Sequence, residues 1–216
     1  GHNVTWFSQG DKPEEIIDGI KLVRKGNMFT TYLFAPFYYW SLSKKPELII
    51  DMSNTIYWQT PLWAWKSKKI AYLNQFAKQV FFYEFPLLIA LFGYLIEVLQ
   101  YLTYRWTKFI CYSNGTKNDL VAVGIPAKNI SLFKLGLDQQ RYTPGVKAKY
   151  PLFLCVSRLV KMKRTDLVIR AMAVLLKKHP TAKLAISGTG YQLPLLQKLA
   201  KDLGIDKNII FVNKDV

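Results

Sequence analysis

The sequence predicts an α/β protein with two parallel-sheet domains. Short β-branched runs alternate with longer helical patterns along the chain, as expected where helices cover a parallel sheet. The last third follows the order strand, helix, strand, helix, strand, which is half of a doubly wound sheet. A polar segment at 136–150 separates this part from the rest and has no hydrophobic period. These observations favour two Rossmann-like domains joined by a linker.

The individual elements follow from hydrophobic periodicity and turn residues. The predicted strands are Asn3–Ser8, Ile20–Arg24, Glu47–Asp51, Lys69–Asn74, Lys108–Tyr112, Ile130–Lys134, Leu152–Ser157, Lys183–Ser187 and Asn208–Val212. The predicted helices lie near 29–43, 86–104, 114–123, 165–178 and 191–203.

The last third has the clearest pattern. Leu152–Ser157 is a continuous apolar run, typical of a strand that is buried on both faces. A helix is predicted from Thr165, with apolar residues at core-facing spacing, and Pro180 stops it. The strand Lys183–Ser187 then leads through the turn Gly188–Gly190 into another helix.

The linker sets the predicted domain boundary. Residues 136–150 are polar and include Pro144 and Gly145, which favour turns over regular structure. We therefore predict a first domain at 1–143 and a second at 144–216.

Composition limits the classes of function. Lys and Arg number 30 against 14 Asp and Glu, a formal net charge of +16. Such a chain attracts phosphate groups of a substrate, nucleic acid or acidic lipid, although dispersed basic residues also form ordinary solvated surfaces. Half of the residues are hydrophobic, which excludes a disordered or fibrous chain. Cys111 and Cys155 lie in apolar runs and are expected to be buried thiols of a reducing compartment.

The segment 86–104 is unusually apolar. Its longest uninterrupted apolar stretch is well short of the roughly twenty residues that a spanning helix needs. We favour a helix buried between layers of a domain. A helix that contacts a membrane surface is the alternative, supported by the basic charge.

Two loops could bind a phosphate group. Ser157–Arg164 connects a strand to a helix N-terminus, and Gly188–Gly190 occupies the equivalent place one unit later. Arg offers a planar fork to phosphate oxygens, and Lys offers a mobile charge. The alternative for the glycines is a purely structural role in a tight turn. Together, on successive units, the two loops favour a diphosphate site.

These residues resemble the retaining glycosyltransferases of family 4, the "glycosyl transferases group 1" type. The resemblance covers nearly the whole chain and is most specific over 113–190. It rests on Gly1-His2-Asn3-Val4-Thr5, Tyr112-Ser113 with Thr116–Leu120, Gly124-Ile125-Pro126, Gly136-Leu137-Asp138 with Tyr142-Thr143-Pro144, Phe153–Leu159 with Lys163, Leu184–Gly190 and Asn208–Val212.

The resemblance implies the GT-B fold, with an acceptor-side domain followed by a nucleotide-sugar-binding domain. It also implies transfer of a sugar with retention of its anomeric configuration. Arg158 and Lys163 match residues that bind the donor pyrophosphate and stabilise the departing nucleotide diphosphate, with no metal or other cofactor required. Gly188 and Gly190 match glycines that let the backbone approach the donor. Val212 lies at the end of the strand that would approach the nucleotide base.

The implied partners are a UDP- or GDP-sugar donor and a glycan or lipid-linked acceptor. The implied location is cytoplasmic, with peripheral contact to an anionic membrane suggested by the basic surface. Nucleic acid is not an expected partner.

The chain departs from the family pattern at several places. It begins after the family's first strand and stops after about three strands of the second domain, before a pair of glutamates that hold the donor. We therefore expect a fragment that is inactive by itself. Asn74 occupies a position where relatives often carry a His near the acceptor, and Asn213 one where they often carry Gly. Asn cannot act as a general base.

Other functions remain as alternatives. Asn74 and Asn213 also suit a catalytically silent relative that binds sugar nucleotides or serves as a partner subunit. A basic nucleic-acid-binding protein is the minor alternative, because the aromatic residues do not form a recognisable base-stacking platform. An oxidoreductase is disfavoured, since no GxGxxG follows an early strand.

Overall fold

The computed structural model describes residues 1–53, 56–140 and 142–212. The chain forms two compact units. Unit 1 comprises Gly1–Lys78 and Leu91–Gly136, and unit 2 comprises Gln79–Ala90 and Leu137–Val216. The predicted domain boundary at residues 143 and 144 stays a prediction.

The regular elements follow the predicted alternation closely. The strands are β1 (Val4–Ser8), β2 (Glu15–Ile17), β3 (Ile20–Arg24), β4 (Leu48–Ser53), β5 (Lys68–Leu73), β6 (Lys108–Cys111), β7 (Ile130–Leu132), β8 (Leu152–Val156), β9 (Lys183–Ser187) and β10 (Ile209–Val212). The α-helices are α1 (Thr31–Ser41), α2 (Val80–Glu84), α3 (Leu87–Leu99), α4 (Asn114–Ala122), α5 (Thr165–Leu176) and α6 (Leu193–Asp202).

Unit 1 contains two sheets. Strands β4, β5, β6 and β7 lie side by side in that order and are all parallel. Strands β1 and β3 are also parallel, and β2 pairs with β3 in the antiparallel sense. The core of the larger sheet is rich in aromatic rings, with Tyr57, Tyr101, Tyr104 and Phe109 all almost completely buried.

The short strand β2 was not predicted. It forms a hairpin with β3, in which Ile17 pairs with Ile20 across the two-residue turn Asp18–Gly19. Both turn residues have positive φ, 51° at Asp18 and 79° at Gly19. An Asp-Gly pair with these angles is a favoured hairpin turn, so the local sequence did carry the signal.

Unit 2 has a parallel sheet in the order β10, β9, β8. Helices α5 and α6 cover one face and bury Ile169, Met172, Leu184, Ile186 and Leu196. This is the predicted β-α-β-α-β arrangement, which is therefore confirmed. The prediction that its first strand, β8, is buried on both faces is wrong, since Leu152, Phe153, Leu154 and Val156 are exposed.

The helix predicted at 86–104 is present as α3, which begins at Leu87, ends at Leu99 and is followed by a 3-10 turn at Gln100–Leu102. The short helix α2 before it was not predicted. Phe85 is extended, with φ −128° and ψ 155°, and separates α2 from α3. The cause is Pro86, because a residue that precedes proline is pushed out of the helical region.

Most large apolar side chains of α3 are exposed, so the favoured prediction of a helix buried between layers of a domain is wrong for the described chain. Within the described residues, no helix combines the length and hydrophobicity needed to cross a bilayer.

Asp51 on β4 organises the loop that follows this strand. Its side chain is buried and accepts hydrogen bonds from the Trp58 N–H at 3.2 Å, the Thr60 N–H at 3.3 Å and the Thr60 hydroxyl at 2.7 Å. The Tyr104 hydroxyl also donates to it. Thr60 opens a short 3-10 helix, so the buried carboxylate accepts hydrogen bonds at the start of this helix.

Asp51 gives a test based on pH. Burial raises its pKa above the ordinary 3.8, although hydrogen bonds from Tyr104, Thr60 and Trp58 oppose the shift. The stability that Asp51 contributes is therefore complete below the unfolded-state pKa and is lost as pH rises through the raised folded-state value. We expect Asp51→Asn to gain stability relative to the wild type over the pH range that begins near the ordinary pKa of 3.8 and extends upward.

Urea unfolding of both chains across this range measures the effect. The pKa of Glu97 is also raised by burial, but Glu97 is present in both chains and cancels in the difference. Parallel stability curves for the two chains would contradict the prediction.

Candidate functional site

The two predicted phosphate-binding loops lie together in unit 2. One connects β8 to α5, and the other connects β9 to α6. Because β8 and β9 are adjacent and parallel, both loops leave the sheet at the carboxyl ends of the strands. This edge is where ligands bind in doubly wound sheets.

The backbones of these loops are locked together. The Leu159 N–H donates to the Thr189 carbonyl at 2.7 Å, and the Gln192 N–H donates to the Leu159 carbonyl at 3.0 Å. Gly190 sits against this segment with φ 153°. A Cβ atom at position 190 would lie 2.3 Å from the Leu159 carbonyl oxygen, so only glycine fits.

The third strand end joins the same edge. The Gly188 N–H donates to the Val212 carbonyl at 3.1 Å, and the Ser157 N–H donates to the Ser187 carbonyl at 3.1 Å. Gly188 has a φ of 142°. The structure therefore brings Gly188 and Val212 into direct contact, while Asn213 lies outside the described residues.

The loop after β8 turns sharply into α5. Lys161–Lys163 forms one turn of 3-10 helix, and Arg164 has a left-handed φ of 51° at the N-cap of α5. Arg164 and Asp166 form a two-pronged ion pair, with Nε to Oδ1 at 3.1 Å and Nη2 to Oδ2 at 3.2 Å. The Arg164 hydrogen bond lowers the pKa of Asp166, so this carboxylate stays ionised and neutralises part of the loop's charge.

The two predicted catalytic cations remain available for a ligand. Arg158 and Lys163 are both exposed, at opposite ends of the loop. Neither side chain forms an ion pair within the described part of the chain. Lys163 precedes the N-terminus of α5, whose free N–H groups add positive potential. The loop can thus offer two uncompensated cations to an anion.

Glu84 and Tyr191 hold the middle of this loop. The carboxylate of Glu84 accepts a hydrogen bond from the Met162 N–H at 3.0 Å and one from the Tyr191 hydroxyl at 2.8 Å. The same hydroxyl accepts from the Lys161 N–H at 3.1 Å. Two consecutive backbone N–H groups of the loop are therefore satisfied by side chains from α2 and from the turn before α6.

A cleft of about 380 Å³ lies beside the loop. Its lining combines basic, polar and apolar groups, and none of the predicted donor-binding residues belongs to it. The lining residues are Tyr83, Val160, Lys161, Arg164, Thr165, Asp166, Gln192 and Leu196.

Sequence reasoning missed Glu84, which lies 78 residues from Met162 and 107 from Tyr191. No local pattern signals a contact at such separations. Tyr191 was seen only as the start of a helix, although a polar aromatic residue directly after Gly188–Gly190 could have been read as part of the loop.

Asn74, the predicted acceptor-side residue, belongs to unit 1. It follows β5 and is exposed, and its carbonyl accepts a hydrogen bond from the Thr116 hydroxyl at 3.1 Å. The next residues are fixed by Glu97, whose carboxylate accepts from the N–H groups of Ala77 and Lys78. Asn74 thus lies on a well-held loop at the carboxyl end of a central strand.

The sequence of unit 2 has recognisable relatives. Residues 138–215 match the family Glycosyl transferases group 1. This segment contains both interlocked loops and amounts to roughly a third of the chain. The predicted resemblance is therefore confirmed for the C-terminal part at the level of a group 1 glycosyltransferase.

A curated relative matches the chain in part. The GDP-mannose-dependent alpha-(1-6)-phosphatidylinositol monomannoside mannosyltransferase of Mycolicibacterium smegmatis is 31% identical over 110 residues. The match covers 46% of this chain and 29% of that protein, so the chain spans less than a third of the relative's length.

Solved structures share the fold over more of the chain. WaaG, a glycosyltransferase involved in lipopolysaccharide biosynthesis, gives a TM-score of 0.68 at 16% identity, covering 99% of this chain and 62% of that one. S. aureus TarM, in complex with Fondaparinux, alpha-GlcNAc-glycerol and UDP, gives 0.52 at 17% identity, covering 68% and 28%. At these identities the likeness shows the fold, an α/β architecture with parallel sheets of the GT-B glycosyltransferase type.

Gly190 provides a test of the loop interlock. Gly190→Ala places a Cβ atom inside the Leu159 backbone and strains a backbone conformation that favours glycine. We expect it to cost about 2–4 kcal/mol of unfolding free energy.

Gly204→Ala is the matched control, because Gly204 also has a positive φ, 68°, but open space around its Cβ position. It should cost only about 1 kcal/mol. Denaturation followed by circular dichroism compares the two, and equal losses would contradict the interlock.

Proposed function

We propose that this chain serves a retaining glycosyltransferase of the family 4 type, in which unit 2 binds a nucleotide-diphosphate sugar. The observation that carries the proposal is the coincidence of the group 1 match with the two interlocked loops at one sheet edge. Two exposed cations, Arg158 and Lys163, flank the first of these loops.

The chemistry of the proposed step is electrostatic. As the bond between the sugar and the diphosphate breaks, negative charge grows on the departing diphosphate oxygens. A guanidinium fork and an ammonium group can stabilise that charge more strongly than they stabilise the intact donor. In this proposal Arg158 and Lys163 supply those groups, and the transfer depends on no metal. Gly188 and Gly190 let the backbone approach the donor, and Val212 leads toward the base.

The names of the relatives support a proposal for the chemical class of donor and acceptor. One relative uses GDP-mannose on a phosphatidylinositol-linked acceptor, and TarM was determined with UDP. We therefore propose a hexose donor that is a GDP- or UDP-sugar, with a lipid-linked or other glycan as acceptor. Asn74 is the acceptor-side candidate. The fragment character, the inactivity of the isolated chain and the cytoplasmic location stay predictions.

A catalytically silent, sugar-nucleotide-binding relative is the second candidate. It is favoured by Asn74, which lies exposed at the carboxyl end of β5. Relatives often carry a His at this position, and the neutral amide of Asn cannot act as a general base. Both candidates bind a nucleoside diphosphate, and only the enzyme releases one from a sugar donor. Following nucleotide release from GDP- and UDP-sugars in the complete protein separates them.

The cation pair gives the direct test. Arg158→Ala and Lys163→Ala should each weaken GDP or UDP binding by about tenfold to a hundredfold, because each removes a charge-assisted hydrogen bond to phosphate. Turnover in the complete protein should fall further, since the charge to be stabilised grows in the transition state. Isothermal titration of the nucleotides and steady-state transfer rates measure both effects.

Lys178→Ala and Lys207→Ala are matched controls, since both residues are exposed in unit 2, one after the end of α5 and the other before the start of β10. They should bind nucleotide as the wild type does, and all four variants should melt alike. Unchanged nucleotide binding in both loop variants would contradict the proposal that Arg158 and Lys163 bind the diphosphate. Stabilisation by short DNA rather than by nucleotide would favour the nucleic-acid alternative.

A further inference from the structure

The middle of the loop after β8 is held by side chains as well as by its own backbone. Lys161 and Met162 begin the 3-10 turn, and the first N–H groups of a helical turn have no carbonyl partner within that turn. The Tyr191 hydroxyl accepts from the Lys161 N–H at 3.1 Å and donates to Glu84 Oε2 at 2.8 Å. Glu84 Oε1 accepts from the Met162 N–H at 3.0 Å. We call these two side chains, with the two N–H groups that they hold, the loop clamp.

Local structure places both side chains of the loop clamp. Phe85 is extended, so α2 ends at Glu84. The residues on either side of Tyr191 are both fixed against the Leu159 backbone, one by close contact and the other by a hydrogen bond. All members of the loop clamp belong to unit 2. The two side chains therefore extend from backbone that is itself held within this unit.

The loop clamp lies between the two cations that are predicted to bind diphosphate. The interlock fixes Leu159, which follows Arg158 in the chain. The loop clamp fixes Met162, which precedes Lys163. These two fixed points together set the backbone positions from which both cations extend.

The loop clamp acts on local order more than on global stability. Tyr191 is 57% exposed, and substitutions on the surface ordinarily change the free energy of unfolding little. A loop that is ordered before its ligand arrives loses less conformational entropy on binding, which raises the affinity. The clamp can therefore change ligand binding while the fold stays equally stable.

The carboxylate of Glu84 has a second interpretation, in which it competes with phosphate for the basic loop. Both of its oxygens accept hydrogen bonds, one from Met162 and one from Tyr191. Within the described part of the chain, neither Arg158 nor Lys163 forms an ion pair, so Glu84 does not neutralise them. Salt also screens a charge that has no direct contact with the cations. These contacts favour a positioning role over a competing one.

We propose that Glu84 and Tyr191 are positioning residues, which hold the loop in its diphosphate-binding form before the diphosphate arrives. They act through the backbone of the loop and not by contact with the ligand. This role rests on the proposed function. It also fixes the sign of an effect, because loss of the clamp weakens anion binding even where a negative charge is removed.

Tyr191→Phe tests the role without a change of charge, because it removes the hydroxyl and keeps the ring. We expect binding of UDP, GDP and inorganic pyrophosphate to weaken by roughly threefold to tenfold, since the ligand must then order the loop. Isothermal titration with the 216-residue chain measures the change. Tyr150→Phe is the matched control, because it removes a hydroxyl just before β8, at the other end of this strand from the loop. It should bind the three probes as the wild type does.

Substitutions of Glu84 separate the positioning role from the competing one. Glu84→Gln keeps an oxygen that can accept from the Met162 N–H, so it should retain most of the affinity. Glu84→Ala should weaken binding as much as Tyr191→Phe does, and the two changes combined should be no worse than either alone. A competing role requires tighter binding in both Glu84 variants. Asp202→Ala, which removes an exposed carboxylate at the far end of α6, should leave binding unchanged.

Hydrogen exchange without ligand reports on the loop clamp itself. The N–H groups of Lys161 and Met162 should be protected in the wild type and should exchange faster in Tyr191→Phe and Glu84→Ala. All variants should melt alike. Fast exchange of both groups in the wild type, or a general loss of stability in Tyr191→Phe, would overturn the positioning role.

The titrations distinguish failure of this role from failure of the proposed function. Wild-type binding that Tyr191→Phe leaves unchanged would overturn the positioning role alone, as would tighter binding by both Glu84 variants. A wild type that binds none of the three probes would contradict the proposed function, and the positioning role with it.

Discussion

The interlock between the Leu159 backbone and the turn at Thr189 and Gly190 is the constraint on which the candidate site depends. Two backbone-to-backbone hydrogen bonds and one glycine contact join the loop after β8 to the loop after β9. Because this segment is fixed, the side chains of Arg158 and Lys163 extend from defined backbone positions. The cations are exposed side chains on a backbone held by hydrogen bonds, which suits a ligand whose charge changes during reaction.

Much of this arrangement could be predicted from sequence. The apolar runs at β8 and β9 and the amphipathic pattern of α5 are local signals, and they placed both loops at one sheet edge. The Asp18–Gly19 turn was a local signal for a hairpin, but the prediction left out the short strand β2 that this turn joins to β3. That omission concerns the weight given to a signal that was present. The start of α3 next to Pro86 was predicted correctly.

Other features could not be predicted locally. Glu84 meets Met162 and Tyr191 only because the chain folds segment 79–90 into unit 2. Asp51 likewise gains its partners from a loop and from Tyr104, which lies 53 positions away. A lone carboxylate in a sequence does not indicate whether water or backbone N–H groups will surround it, and that difference sets its pKa. The exposure of one side of α1 could not be predicted either, because the apolar composition of this helix is typical of a buried one.

Gly190 also bears on how such proteins can be judged from sequence. Any amino acid with a side chain would collide with Leu159 whether or not the loop ever held a substrate. Selection for folding alone would therefore preserve this glycine in a lineage that had lost its chemistry. The presence of this glycine in a sequence indicates that the loop can fold, and it does not indicate that the protein is catalytically active. The exposed cations lack such a packing requirement, so their replacement would be the informative mark of a silent descendant.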